Sequence, residues 1–120
     1  MTHLLVLAHG SRREASNNEI SELVARLRYS CKLFAGIDYA FLEIAKPFIH
    51  EAQQIAQGAV DIVVLAYFLS AGRHVVTDIP EQVEQVSVEI PNIKNKIAHY
   101  LGASEKIDAL LIHQAFTAYH

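Results

Sequence analysis

The chain has no tryptophan, one methionine, one cysteine and three prolines in 120 residues. The single cysteine, Cys31, excludes an internal disulfide framework and a cysteine-rich zinc site. Ten Lys and Arg face 13 Asp and Glu, a net charge of −3. The basic residues form no cluster, so the electrostatic footprint of a nucleic-acid binder is missing. The longest apolar run, near Ile62 to Leu69, is far too short to span a bilayer, and no membrane association is expected. A charged segment followed by an apolar stretch and a cleavage site is also missing, so the chain reads as cytoplasmic. Neither G-x-x-x-x-G-K-[ST] nor G-x-G-x-x-G occurs, which removes the usual grounds for nucleotide binding. No G-x-S-x-G supplies a hydrolase nucleophile.

What remains is a chain that is 52% hydrophobic and 19% charged. That composition fills a real core and argues against disorder, and the length suits one domain over residues 1–120. Histidine is the unusual count, at seven. The histidines are scattered, without the short spacings of a zinc finger or an H-E-x-x-H helix. Any metal site therefore needs the fold to bring them together.

The run Ala8-His9-Gly10-Ser11-Arg12 stands where a buried strand, about Thr2 to Ala8, gives way to a helix. Gly10 allows a tight turn, and Ser11 is expected to cap the helix over about Arg13 to Ser30. The arrangement recurs after a strand over Asp61 to Phe68. There the loop Leu69-Ser70-Ala71-Gly72-Arg73 precedes His74, which opens a third helix to about Glu89. A second strand spans Ile37 to Leu42 and ends at Glu43. A second helix starts near Pro47, burying Phe48, Ile49, Ala52, Ile55 and Ala56, with Gly58 as its C-cap. The fourth strand is placed at Ile93 to His99, and a last helix at about Ser104 to Ala118 puts Ile107, Leu110, Leu111 and Ala118 on one face.

This order predicts an α/β domain: one four-stranded parallel sheet, order 2-1-3-4, with helices on both faces. Strands one and three then meet at the switch point, where open α/β sheets bind ligands beyond the strands' carboxyl ends. A lone histidine in such a turn is ordinarily a residue bonded to backbone. Two of them, His9 and His74, at one switch point favour a metal site with positions left open. Glu43 is either a carboxylate ligand, a proton acceptor or a solvated strand end. Gly10, Ser11, Arg12 and Arg13 offer backbone N–H groups and guanidiniums to an anion, as do Ser70, Ala71, Gly72 and Arg73. Tyr67, Phe68 and Leu69 offer apolar surface, although alternate residues of a strand face opposite sides. Together these suit a large planar ligand with carboxylate arms. His3, His50, His113 and His120 read as bland positions, and His99 is placed near the same edge.

Two segments, Leu4 to Arg12 and Tyr67 to Val75, closely resemble the CbiX family of sirohydrochlorin chelatases. Phe41-Leu42-Glu43 and Asp78-Ile79-Pro80 match its pattern as well. The resemblance reaches about Gly102, with a departure at Ala98-His99-Tyr100, where prolines are commoner. It implies a class II chelatase half-lobe that inserts a divalent metal into a tetrapyrrole without ATP. It also implies that His9 and His74 bind the incoming metal and help remove pyrrole protons, with Glu43 as a supporting acid. No permanent cofactor is implied, because the metal is a substrate. Cobalt is favoured, with iron or nickel as alternatives, and a carrier without turnover is the reading from a different class. A macrocycle is too wide for one small lobe to bury, so a homodimer is expected, with Leu101, Leu110 and Phe116 near the contact.

Overall fold

A computed structural model describes residues 2–55 and 61–119. Its centre is β1, Thr2–Ala8, whose alternate side chains enter two different cores. Leu5 and Leu7 point to one face, and Leu4 and Val6 to the other, as the period of two in a strand requires. β2, Gly36–Phe41, and β3, Asp61–Ala66, flank β1, and β4, Lys94–Ala98, pairs with β3. All pairings are parallel, in the order β2-β1-β3-β4 that the sequence predicts.

The larger core lies under α2, Ile49–Ile55, and α3, Ile79–Glu89. Ile49 and Ala52 from α2, and Ile79, Val83 and Val86 from α3, pack there against Leu5, Leu7, Ile62 and Val64. Each fully buried Leu, Ile or Val contributes about 1.5–3 kcal/mol. The start of α2 is tied by Glu51, whose Oε1 accepts the Phe48 N–H at 3.1 Å, half of a capping box. Phe48 is only half-buried. The expected burial of Ile55 and Ala56, the Gly58 cap and His120 fall on side chains or residues outside the described set. Among the described residues one polar side chain is buried in this core: Gln53, 1% exposed, donates from Nε2 to Asn95 Oδ1 at 2.6 Å. Asn95 in turn donates to Ser87 Oγ at 3.1 Å, so the buried amides are satisfied.

The opposite face is covered differently. α1, Glu14–Ser30, packs Val24 and Leu27 on Val6, Ile37 and Tyr39. The last helix, α4, Ile107–Phe116, buries none of its residues. Its main neighbours are the short 3-10 turns on either side, Leu101–Ala103 and Thr117–Tyr119. The single apolar face expected from Ile107, Leu110, Leu111 and Ala118 is therefore not buried within the chain. Leu110 is 51% exposed and Phe116 59%. Apolar residues occupy nearly the whole circumference of this helix, so no single face is selected. Helices do lie on both faces, but on the second face the cover is α1.

Candidate metal centre

The carboxyl edge of the sheet is built by three strand ends. The β1–β2 ladder runs on past both strands: Leu42 N–H donates to Ala8 O at 2.9 Å, and Glu43 N–H donates to His9 O at 3.2 Å. This places Glu43 beside His9, two residues whose relation a reading along the chain leaves open. Gly10 makes the approach possible. Its φ is +95°, and a Cβ there would lie 2.0 Å from the Glu43 carbonyl oxygen. Only glycine meets both demands. Directly after Glu43 the backbone turns sharply, with Ile44 at φ 73° and Ala45 N–H bonded to Glu43 O at 2.8 Å. This is the classic γ-turn geometry, a strained conformation of the kind that gathers at functional sites.

β3 ends at Ala66, two residues earlier than expected. Phe68 N–H turns back to Ala66 O at 3.0 Å, and Gly102 N–H donates to Phe68 O at 3.0 Å. A Cβ on Gly102 would fall 1.7 Å from Leu69 O, so the turn after β4 is pressed against this loop. Sequence reasoning missed that role of Gly102. Phe68 packs against the larger core, whereas Leu69, Ser70, Ala71, Gly72 and Arg73 are exposed and Tyr67 is 39% exposed.

His74 then opens a π-helical turn, His74–Asp78, in which Ile79 N–H donates to His74 O. The expected single helix from His74 to Glu89 is thus divided in two. Pro80 gives the reason. It has no N–H for the Val76 carbonyl, and its ring would crowd that carbonyl in a regular α-helix. The wider turn relieves the conflict, and such turns occur frequently at functional sites.

The outcome is a convergence of His9, Glu43 and His74. Each offers one ligand atom, and the three atoms lie within 4.8 Å of one another. Three atoms so placed share a point no more than about 2.8 Å from each, roughly 0.7 Å longer than a typical histidine–metal bond of about 2.0–2.1 Å. Small rotations of half-exposed side chains close the difference. The two imidazole rings have centroids 4.5 Å apart, inclined at 56°.

Each ring also has a second partner. His9 Nδ1 lies 3.0 Å from Gly10 O, and its Nε2 lies 2.9 Å from Glu43 Oε1. Both partners are acceptors, so a neutral His9 satisfies only one of them. A second proton on the ring, or a cation shared with Glu43, satisfies the other. His74 Nδ1 lies 2.7 Å from Asp78 Oδ2.

The anion-binding expectation needs one correction. Ser11 does not cap α1: the helix starts at Glu14, and no side chain caps it. Ser11 instead donates its N–H to Asn17 Oδ1 at 2.9 Å, and its Oγ accepts the Arg13 N–H at 3.0 Å. A single side chain, Asn17, thus closes the loop after His9 by bonding both the N–H and the carbonyl of Ser11. The Ser11 and Arg13 N–H groups are thus already used, and the exposed guanidiniums of Arg12 and Arg13 remain available to an anion. Arg73 is exposed across the edge. His99 is exposed after β4 and is not among the converging ligands. His50 has a structural partner, Glu89 Oε2, at 2.8 Å.

A parallel α/β unit with two imidazoles and a carboxylate converging at its switch point offers a candidate site for a divalent metal. The comparisons make this specific. The CbiX family model matches residues 3–118, and the chain belongs to the CbiX family. It is 34% identical to the sirohydrochlorin cobaltochelatase of Sulfurisphaera tokodaii, over 92% of this chain and 88% of that one. It is equally 34% identical to the chloroplastic sirohydrochlorin ferrochelatase of Arabidopsis thaliana, over 82% of this chain but only 44% of that one. The fold is that of the sirohydrochlorin chelatase SirB from Bacillus subtilis, solved with cobalt, at a TM-score of 0.85 and 23% identity. That match covers 97% of this chain and 50% of SirB.

Proposed function

We propose that this chain is a sirohydrochlorin chelatase that inserts Co2+ into the tetrapyrrole. The observation that carries the reading is the meeting of His9, Glu43 and His74 at the open edge of the sheet. The relatives' names supply the substrate class, and they include both cobalt and iron enzymes.

Insertion exchanges one divalent ion for two pyrrole protons. The ion must be held firmly enough to lose part of its water and weakly enough to leave. Two neutral imidazoles and a carboxylate meet this need better than thiolates would. His9 and His74 deliver the ion and take up protons from the ring nitrogens, the ordinary proton chemistry of imidazole near neutral pH. Glu43 is a supporting carboxylate that steadies His9 and shares the ion. Arg12 and Arg73 pair with carboxylates of the macrocycle, and Tyr67, Phe68 and Leu69 form its apolar wall. Gly10, Ser11, Ser70, Ala71 and Gly72 shape the two loops that hold it. The metal passes through as a substrate, with no permanent cofactor. The donor set does not choose between first-row metals, because their affinities follow an order set largely by the ion.

The working form is a homodimer. A macrocycle laid on this exposed edge has only one wall, and ligand pockets normally enclose most of a ligand. SirB is about twice as long as the matched region, and a second copy supplies the missing half here. The unburied helix α4, with Leu110 and Phe116, is the contact surface. Val63 and Leu65 of β3 and Ala98 of β4 lie on the sheet face that α1 covers only in part, and they form a natural seat for a partner's α4. Sedimentation at micromolar concentration tests this: a monomer that inserts metal refutes the shared cleft. Among the described residues no helix is long and apolar enough to cross a membrane, and a cytoplasmic location accompanies the reading.

The deciding experiment follows the absorbance of sirohydrochlorin with Co2+ and substoichiometric protein. Many turnovers per chain are expected. A change that stops at one equivalent identifies a carrier, and faster turnover with Fe2+ identifies a ferrochelatase.

A further inference from the structure

We propose that Asp78 is a positioning residue that fixes His74 in the one neutral tautomer able to bind a metal from the crevice. The inference rests on the metal-site reading above and adds to it a residue that touches neither ion nor macrocycle.

A hydrogen bond of 2.7 Å joins His74 Nδ1 and Asp78 Oδ2. A carboxylate at this contact only accepts, so Nδ1 must carry the proton. In a neutral ring the lone pair is then on Nε2. In water the histidine side chain prefers the opposite tautomer, with the proton on Nε2. That form would present an N–H to an incoming cation. Asp78 thus reverses an intrinsic preference of His74.

The local backbone explains why the contact is well formed. His74 and Asp78 are the first and last residues of the π-helical turn, which Ile79 N–H closes on the His74 carbonyl. Ile79 itself is 0% exposed, so the end of the turn that carries Asp78 is anchored in the larger core. The Asp78 side chain is only 27% exposed, less than that of His74 at 41%. Phe68 bounds the imidazole from another side, with ring centroids 6.4 Å apart and planes inclined at 30°.

His9 shows by contrast why a side chain is needed. Its Nδ1 faces a main-chain carbonyl, Gly10 O, which is supplied by the glycine turn directly after the ring. His74 stands at a helix start, where the first carbonyls are committed along the helix axis and none is directed at its own ring. A carboxylate one turn on fills the gap. Metal-binding histidines very commonly direct their second nitrogen at such an acceptor, and its loss typically weakens metal binding 10- to 100-fold.

The test uses the full chain and Co2+ alone. Tautomers are read in metal-free, 15N-histidine-labelled protein from long-range proton–nitrogen correlations above the pH at which imidazole titrates. Co2+ affinity is measured by calorimetry. Wild type is expected to show a protonated Nδ1 and a bare Nε2 at His74. Asp78→Ala should lose this preference and bind Co2+ 10- to 100-fold more weakly. Asp78→Asn keeps the volume, but its amide N–H can donate to Nδ1 and hold the wrong tautomer, so it should behave like Asp78→Ala at unchanged melting temperature. Asp78→Glu, which restores a carboxylate, should recover the tautomer and most of the affinity. The proposal is overturned if Asp78→Asn and Asp78→Ala both keep the wild-type tautomer, or bind Co2+ within threefold of wild type. His74→Ala separates the two readings. If it binds Co2+ as wild type does, the metal site itself is wrong. If it loses Co2+ while the Asp78 variants do not, only the positioning role is wrong.

Discussion

Replacing Gly10 with alanine tests how closely the proposed metal centre depends on one backbone approach. Gly10 has φ +95°, and an alanine Cβ would stand 2.0 Å from the Glu43 carbonyl oxygen. Two costs follow. Holding a non-glycine residue at such a φ costs about 1–3 kcal/mol. Relieving the overlap with main chain, which has no rotamer to change, costs about another 1–3 kcal/mol. For a chain of this size each kcal/mol lowers the melting temperature by roughly 3–6 °C, so the sum corresponds to a fall of at least roughly 6 °C. The displacement also has a direction. Glu43 must move away from the β1 end, which separates its carboxylate from His9 Nε2, now 2.9 Å away. Co2+ affinity should fall by at least about tenfold, the lower end of the effect of removing a ligand's support. Thermal unfolding and calorimetry with Co2+ read the two quantities. Gly72→Ala is the control, because a Cβ there meets nothing within 4 Å. It should be neutral, or stabilising by about 0.4–1 kcal/mol through the unfolded chain. A Gly10→Ala protein that melts and binds Co2+ like wild type would refute the reasoning.

Three further outcomes are expected. His9→Ala should abolish most metal insertion while shifting the melting temperature little, because the residue is half-exposed in a loop; near-normal turnover would remove His9 from the site. Arg12→Ala should leave Co2+ binding intact and weaken sirohydrochlorin binding by roughly 10- to 150-fold, matching about 1.5–3 kcal/mol for a charge-assisted bond. Fluorescence or absorbance titration reads it, and an unchanged dissociation constant counts against that contact. Gln53→Ala should cost about 1–3 kcal/mol by leaving Asn95 partly unpaired, seen as a lower urea midpoint at unchanged slope; a midpoint equal to wild type would mean that water replaces the amide.

The sheet order and the positions of His9 and His74 were legible in the chain. Local pattern decides them: continuous apolar runs mark strands buried on both faces, and the alternation of strands with helices leaves few parallel topologies. Parallel topology then brings the loops after strands one and three together, whatever the details of packing. The family motifs around both histidines lie within single stretches of sequence, so they too could be read directly. Other features depend on contacts between distant segments. The Gly10–Glu43 approach, the pressure of Gly102 on Leu69 and the Gln53–Asn95 pair join residues 33 or more positions apart, and no periodicity encodes them. Serine before a helix usually caps it, but here Asn17 bonds both the N–H and the carbonyl of Ser11 and α1 starts without a side-chain cap. The π turn arose from a conflict between Pro80 and a helix that local propensity alone would have continued. The last helix shows the limit most clearly. Its apolar residues announce burial, yet the folded chain buries none of them, because hydrophobic attraction is non-directional and names no address.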